Sequence, residues 1–335
     1  MIQIFKSLLN ATIVSSAIIC IFLLLKISIF RIFNKRFNYY IWLVVIFKML
    51  FFTFSYPIFI NNKAIINKLN TYSNTQKPDN TLLFLLSILW LFVTLYLLVN
   101  IFVKYNKEKN LLIDLSEEVD IIEINSIFED LKTELNVKQN VILRFSYDIA
   151  SPCVLGLFKP YILLTDSYNV NELYWILKHE LIHVKNKDNL IKFIMAFLRC
   201  LYWFNPLVYL MSRKISEDCE LHCDEIVMQN GSKKEQRLYG LTLINSARFN
   251  NESRNVLMTE FYETNLEKRL DNIIHIKTRK GILIALILCL LSLITYLKFE
   301  SMGSDTLLYQ LPRGSLVENN DHSKSEFLGN VHTED

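Results

Sequence analysis

The chain reads as mainly α: a four-span transmembrane helical bundle carrying one α+β domain with a small sheet. Three observations predict this. Of 335 residues, 52% are hydrophobic and only seven are glycine, too apolar a mix for an ordinary soluble protein of this length. The apolar excess is concentrated in runs at 8–30, 39–60, 82–103 and 281–297, each close to what ~30 Å of hydrocarbon needs at ~1.5 Å per residue. Between the last two runs, residues 105–280 turn to mixed polar sequence, enough for one domain.

The first three runs place a membrane unit at 1–104. The run at 8–30 has no small-residue cleavage site and is long enough to span, so it is expected to stay in place. Basic residues set the orientation. Arg31, Lys35 and Arg36 follow the first span, Lys104, Lys107 and Lys109 follow the third, and Lys277, Arg279 and Lys280 precede the fourth. All three clusters share one side if the N-terminus is outside, and the positive-inside rule makes that side cytosolic. The expectation is a multi-pass cell-membrane protein with both termini outside and 105–280 in the cytosol. A fourth helix at 281–298 and a short extracellular tail at 299–335 complete it. That tail has seven acidic and two basic residues, although Lys63, Lys68 and Lys77 of the 61–81 loop run against the trend. Lys48, near the middle of the second span, is expensive there unless it pairs within the bundle or snorkels. The net charge of +3 is thus a topology signal; no basic stripe interleaved with aromatics points to nucleic acid. The six cysteines fall in spans or in the cytosolic part, so no disulfide framework is expected.

Within 105–280, Leu111–Leu135 has helical periodicity and many acids, and Val141–Phe145 looks like a strand. Val154–Leu164 predicts two short strands around a Gly/Pro turn. A helix then begins at Asn169, with Glu172 three residues on to close a capping box. Residues 190–211 are apolar enough for a further span. Lys192, Arg199 and the Asn205-Pro206 break speak instead for two helices broken at that point, embedded at the membrane surface or packed in the bundle.

The chemistry lies on the capped helix. His179-Glu180-Leu181-Ile182-His183 puts two imidazoles at i and i+4 on one helical face, close enough to hold one metal ion. Glu180 stands beside them, placed to take a proton from metal-bound water. A lone histidine on an apolar helix is usually a satisfied core residue, but two with a glutamate between them are costly to bury unless they bind something. A third ligand is needed, leaving one position open. Ser216–Glu225 supplies candidates on one helix: Glu220 as ligand, with Asp224 one turn on to orient a liganding imidazole. Glu217 is an alternative ligand, and so are Cys219 and Cys223, although a site of two histidines and two cysteines would be closed and leave Glu180 without a task. The bland alternative for this acidic run is a solvated helix face. If Glu220 completes the site, both ends of 190–211 lie on one side, which excludes a single crossing between them.

The HELIH helix, Trp203-Phe204-Asn205-Pro206-Leu207-Val208, Glu220-Leu221-His222-Cys223-Asp224 and Ser151–Pro160 together resemble the integral-membrane zinc peptidases of the BlaR/MecR type, over residues 1–298 or so. The resemblance implies one Zn²⁺ held by His179, His183 and Glu220, Glu180 as general base, and Asp224 behind the ligands. It also implies a cytosolic gluzincin-type metallopeptidase domain governed by the bundle, acting on itself and on a cytosolic DNA-binding repressor. It stops at the outer tail, which ends at Asp335 without a Ser-x-x-Lys motif or room for a penicillin-binding sensor domain; acylation by β-lactams is therefore not expected. Self-cleavage is expected in the 250–280 linker, near Lys268-Arg269. The partners expected are the bilayer and a protein substrate, with oligomers open and no nucleic acid. A quality-control protease similar to the HtpX or CaaX-processing peptidases, or a metal-holding receptor or scaffold without turnover, are the alternatives.

Overall fold

The computed structural model describes residues 2–52, 80–252, 266–277, 279 and 281. Among them the fold is mainly helical, with one small mixed sheet. Residues 282–298 of the expected fourth span, the outer tail and residues 53–60 of the second span lie outside the described residues.

Among the described residues, two helices are long and apolar enough to cross a membrane: α1 (Ile2–Ser28) and α4 (Thr81–Asp114). Both expose apolar side chains along one face, such as Ile13, Ile21 and Leu24 of α1 and Leu85, Phe92 and Val99 of α4, as a lipid-facing surface does and a water-facing one rarely can. After a short 3₁₀ turn at Phe30–Ile32, the described part of the second run forms α2 (Lys35–Tyr40) and α3 (Trp42–Phe52). Asn34 caps α2 by accepting from Phe37 N at 3.1 Å.

Helix α4 has 34 residues, or about 50 Å at ~1.5 Å per residue, so its C-terminal end projects well past an apolar span. There Leu112 joins Ile149, Cys153, Leu155 and Leu163 in a small core on one sheet face. The expected helix at Leu111–Leu135 is not continuous. It is interrupted by β1 (Glu117–Glu118) before α5 (Ile122–Glu134). The physical reason is Arg144, whose guanidinium donates to Ser116 Oγ at 2.7 Å and to the Ser116 carbonyl at 2.5 Å, while β1 pairs with β2 (Ile142–Phe145). The sheet runs β1-β2-β4-β3, with β4 (Tyr161–Leu164) parallel to β2 and antiparallel to β3 (Cys153–Leu155). Ile162, Leu163 and Leu164 of β4 are fully buried, as the central apolar strand of a covered sheet should be. Gly156, in the turn after β3, has φ +90, and a Cβ there would sit 2.3 Å from the Lys159 carbonyl oxygen, so only glycine fits.

Helix α6 (Val170–Asn186) carries the HELIH segment and packs its apolar side on α5, with Leu177, Leu181 and Ile182 fully buried. Its start has both halves of the capping box between Asn169 and Glu172. Its end is Lys187, left-handed at φ 59, from which α7 (Asp188–Leu201) departs at once. The 190–211 stretch forms α7 and the start of α8 (Pro206–Val227), separated at Tyr202–Asn205, with Pro206 in the first turn of α8. Polar groups at this break are stitched to the apolar helices. Trp90 Nε1 donates to the Leu201 carbonyl at 3.0 Å, Tyr202 Oη to the Met49 carbonyl at 3.1 Å, and Asn205 Nδ2 to Ser16 Oγ at 2.9 Å. Polar groups buried at a helix break need partners of this kind. Helices α9 (Lys233–Glu252) and α10 (Leu266–Ile274) then close over α6 and α8.

Candidate metal centre

The fold brings His179, His183 and Glu220 together although 41 residues separate the first from the last. Helices α6 and α8 pack face to face, and the three side chains converge in a buried pocket. His179 Nε2 lies 3.1 Å from His183 Nε2 and 3.3 Å from Glu220 Oε2, and His183 Nε2 lies 3.5 Å from Glu220 Oε1. Bonds of ~2.0–2.2 Å in tetrahedral array give edges of about 3.3–3.5 Å, so one ion would fit all three donors with little movement. Two imidazoles and one carboxylate are also the donor chemistry of zinc with an open fourth position. Glu180 lines the same cleft. Burial pushes its pKa above the usual carboxylate range, against the pull of His183 and His179. For Glu220 burial acts in the same direction, but His183, His179 and Arg269 outweigh it and hold the carboxyl well below its usual value.

Each imidazole is oriented through its other nitrogen. Asp224 is fully buried, and its nearest partners are Tyr239 Oη at 2.6 Å and the Arg269 guanidinium, Nε at 2.7 Å and Nη2 at 2.6 Å. Tyr239 Oη in turn lies 2.9 Å from His179 Nδ1, which is 3.5 Å from Asp224 itself. Asp224 therefore reaches His179 chiefly through Tyr239: the imidazole donates to the phenol and the phenol to the carboxylate. On the other side, His183 Nδ1 is 2.7 Å from Asp188 Oδ2, and Tyr39 Oη of α2 donates to Asp188 Oδ1 at 2.7 Å.

Sequence reasoning missed Asp188, Tyr39, Tyr239 and Arg269. Asp188 could have been suspected as an acid five residues past His183, but it lies beyond the end of the helix, and only the left-handed turn at Lys187 swings it back. The other three come from distant segments and carry no local signal.

The acidic run 217–225 is not a solvated face: Asp218, Glu220, Asp224 and Glu225 are all buried. Glu217 is turned from the histidines and pairs with Lys214 at 2.8 Å, Arg213 at 3.6 Å and Lys268 at 3.7 Å. Cys219 and Cys223 sit on the far side of His183, next to Nδ1 rather than Nε2. The Lys268-Arg269 bond is inside α10, with Arg269 8% exposed and paired to Asp224. Cleavage there would require this helix to come apart, so that part of the linker is not an open one. Residues 253–265 lie outside the described residues.

The cleft is walled by Ser151, Pro152 and Val154 beside β3, by Lys192 and Asn189 of α7, and by Tyr239 and Thr242 of α9. Strand β3 is an edge of the sheet, and Asn189 Nδ2 donates to the carbonyls of its Val154 and of Gly156 just beyond it, at 3.1 and 3.2 Å.

Residues 6–273 match the family described as BlaR1 peptidase M56. Among curated proteins, the chain is 30% identical over 167 residues to the regulatory protein BlaR1 of Bacillus licheniformis, covering 48% of this chain and 28% of that protein. It is 27% identical to the regulatory protein BlaR1 of Staphylococcus aureus, covering 84% of this chain and 54% of that one. It is 22% identical to the methicillin resistance mecR1 protein of Staphylococcus aureus, covering 79% and 51%. The chain thus matches about half the length of these relatives, or less. With the match running from the first apolar helix to the end of the helix that bears Arg269, the chain belongs to the BlaR1 peptidase M56 family of metallopeptidases.

Proposed function

We propose that this chain is a membrane-embedded regulatory zinc endopeptidase of the gluzincin type, acting on the cytosolic side. The observation that carries the reading is the convergence of His179, His183 and Glu220 at tetrahedral spacing in one cleft with Glu180. Zinc, when bound, would polarise the scissile carbonyl and make water acidic enough to ionise near neutral pH. Glu180 would take the proton of the attacking water and return it to the leaving amine. Tyr239 and Asp188 would hold the two imidazoles in the tautomer that leaves Nε2 free, and the edge strand β3 would seat an extended peptide by adding a strand. Such a substrate would compete with the Asn189 bonds for the Val154 and Gly156 carbonyls.

The relatives' names as regulatory and resistance proteins support a signalling role. The substrates this suggests are the chain itself and a cytosolic DNA-binding repressor. Comparing new protein N-termini in cells that express wild type or Glu180→Gln tests the reading. Glu180→Gln should keep its zinc and lose the wild-type cleavages by ~10²–10⁴-fold. Identical fragment sets from both forms, with zinc bound, would overturn it.

A further inference from the structure

His183 has two further neighbours, Cys219 and Cys223, that the peptidase reading does not use. Cysteines often pack as small apolar residues in cores, but here both thiols converge with an imidazole nitrogen and a carboxylate oxygen. Cys219 and Cys223 lie one turn apart on α8 and are 2% and 0% exposed. From His183 Nδ1, Cys223 Sγ is 3.3 Å away and Cys219 Sγ 3.7 Å; Cys223 Sγ is 3.5 Å from Asp188 Oδ2. All four donor atoms fall within 4.8 Å of one another.

A tetrahedral ion with metal–sulfur bonds of ~2.3 Å and metal–nitrogen or metal–oxygen bonds of ~2.0–2.2 Å has sulfur–nitrogen and sulfur–oxygen edges of about 3.5–3.6 Å. The three such distances present fall within about 0.3 Å of that. The edge between His183 Nδ1 and Asp188 Oδ2, at 2.7 Å, must open, toward about 3.3 Å, and the two remaining edges, both from Cys219 Sγ, are within 4.8 Å.

We propose that Cys219, Cys223, Asp188 and Nδ1 of His183 form a second, closed site for a soft divalent cation of the zinc or cadmium class, back to back with the His179–His183–Glu220 centre. Two thiolates favour soft ions over magnesium or calcium. Four protein donors leave no position for water, so the site is not catalytic. Binding would release the two thiol protons and the proton on His183 Nδ1 to solvent. The imidazole would then bridge the two positions, and an ion at one would alter the affinity at the other by the same factor in both directions. The four donors are in place whether or not the chain cleaves peptides, so this inference stands apart from the proposed activity.

The test is cadmium titration of the full chain, stripped of metal by chelation and held in detergent. Bound metal and the ultraviolet thiolate-to-cadmium charge-transfer band are the readouts. Wild type should bind two ions and develop the band. Cys219→Ser/Cys223→Ser should bind one and show no band, whereas His179→Ala/Glu220→Gln should bind one and keep it. A wild-type stoichiometry of one ion, or an undiminished band in the double serine variant, would overturn the proposal. Should the serine variant fail to fold, cadmium NMR of wild type decides instead. A resonance in the two-thiolate range supports the site, and its absence at saturating cadmium sinks it.

Discussion

Arg269 shows how much a single residue can hold in this site. Its guanidinium makes a two-pronged bond to Asp224 and lies 3.4 Å from Glu220, so one buried cation sits beside two buried carboxylates. Deleting one member of a buried pair leaves the other without compensation, which typically costs ~3–5 kcal/mol. Arg269→Met should therefore lower the unfolding midpoint of the domain markedly and destabilise it by about that amount, measured by denaturant unfolding in detergent. Arg269→Lys, which keeps the charge but not the fork, should fall between the two. A midpoint for Arg269→Met equal to wild type would show that Asp224 does not depend on this partner. At the same scale the sequence was half legible. His179, Glu180 and His183 are contiguous on one helix turn, and Glu220 with Asp224 shows the same i, i+4 spacing, so local periodicity sufficed to bring them forward. Asp188, an acid five residues past His183, offered only a hint, because its place depends on the left-handed turn at Lys187, and Arg269 required knowing where a distant helix ends up.

At the scale of elements, helix starts were the most readable features. The Asn169 and Glu172 box was visible because each half of the cap is a polar side chain three residues from the other. The interruption between α4 and α5 was not, because it depends on Arg144 reaching back 28 residues to Ser116. Helix α9 matters here because it carries Tyr239, and a second reciprocal cap opens it. Ser232 Oγ accepts from Glu235 N at 3.3 Å, while Glu235 Oε2 accepts from Ser232 N and Oγ, both at 2.7 Å. Those hydrogen bonds to Ser232 lower the Glu235 pKa. A carboxylate depressed in the folded state contributes stability that is present above its unfolded value and is lost as pH falls through its folded value. Glu235→Gln should thus be less stable than wild type at neutral pH, with the gap closing as pH falls below 4.5, the ordinary value. Thermal unfolding of both forms across that range checks it; a gap that widens on acidification would contradict the assigned sign.

On the scale of the whole molecule, α8 organises the domain through three faces. One carries Glu220 and Asp224, one carries Cys219 and Cys223, and a third docks on the segment that follows the first apolar helix. On that third face Asp218 accepts from Trp42 Nε1 at 2.7 Å and pairs with Lys26, Glu225 Oε2 accepts from Arg36 N at 3.1 Å, and His222 packs against Tyr39 and Tyr40. Two kinds of contact therefore join the apolar helices to the domain. Trp42 and Lys26 fasten α8 without touching a liganding histidine, whereas Tyr39 acts through Asp188 on His183. The distinction makes Tyr39 a positioning residue whose effect can be separated from plain docking. Tyr39→Phe keeps the ring and removes one hydrogen bond to a buried carboxylate, and loss of such an outer partner typically weakens metal binding ~10–100-fold. Trp42→Phe removes an equally buried bond to Asp218 and should reduce stability while leaving zinc affinity within about twofold of wild type, since among the described residues no chain of hydrogen bonds leads from Asp218 to an imidazole. Chelator competition on the purified full-length variants, with unfolding measured alongside, separates the two outcomes. If Tyr39→Phe held zinc as tightly as wild type, the link from α2 to the metal ligand would be packing alone. If it weakens zinc where Trp42→Phe does not, a shift of α2 by the length of one hydrogen bond would be felt at the metal, giving the apolar helices a direct physical means of setting the site's occupancy.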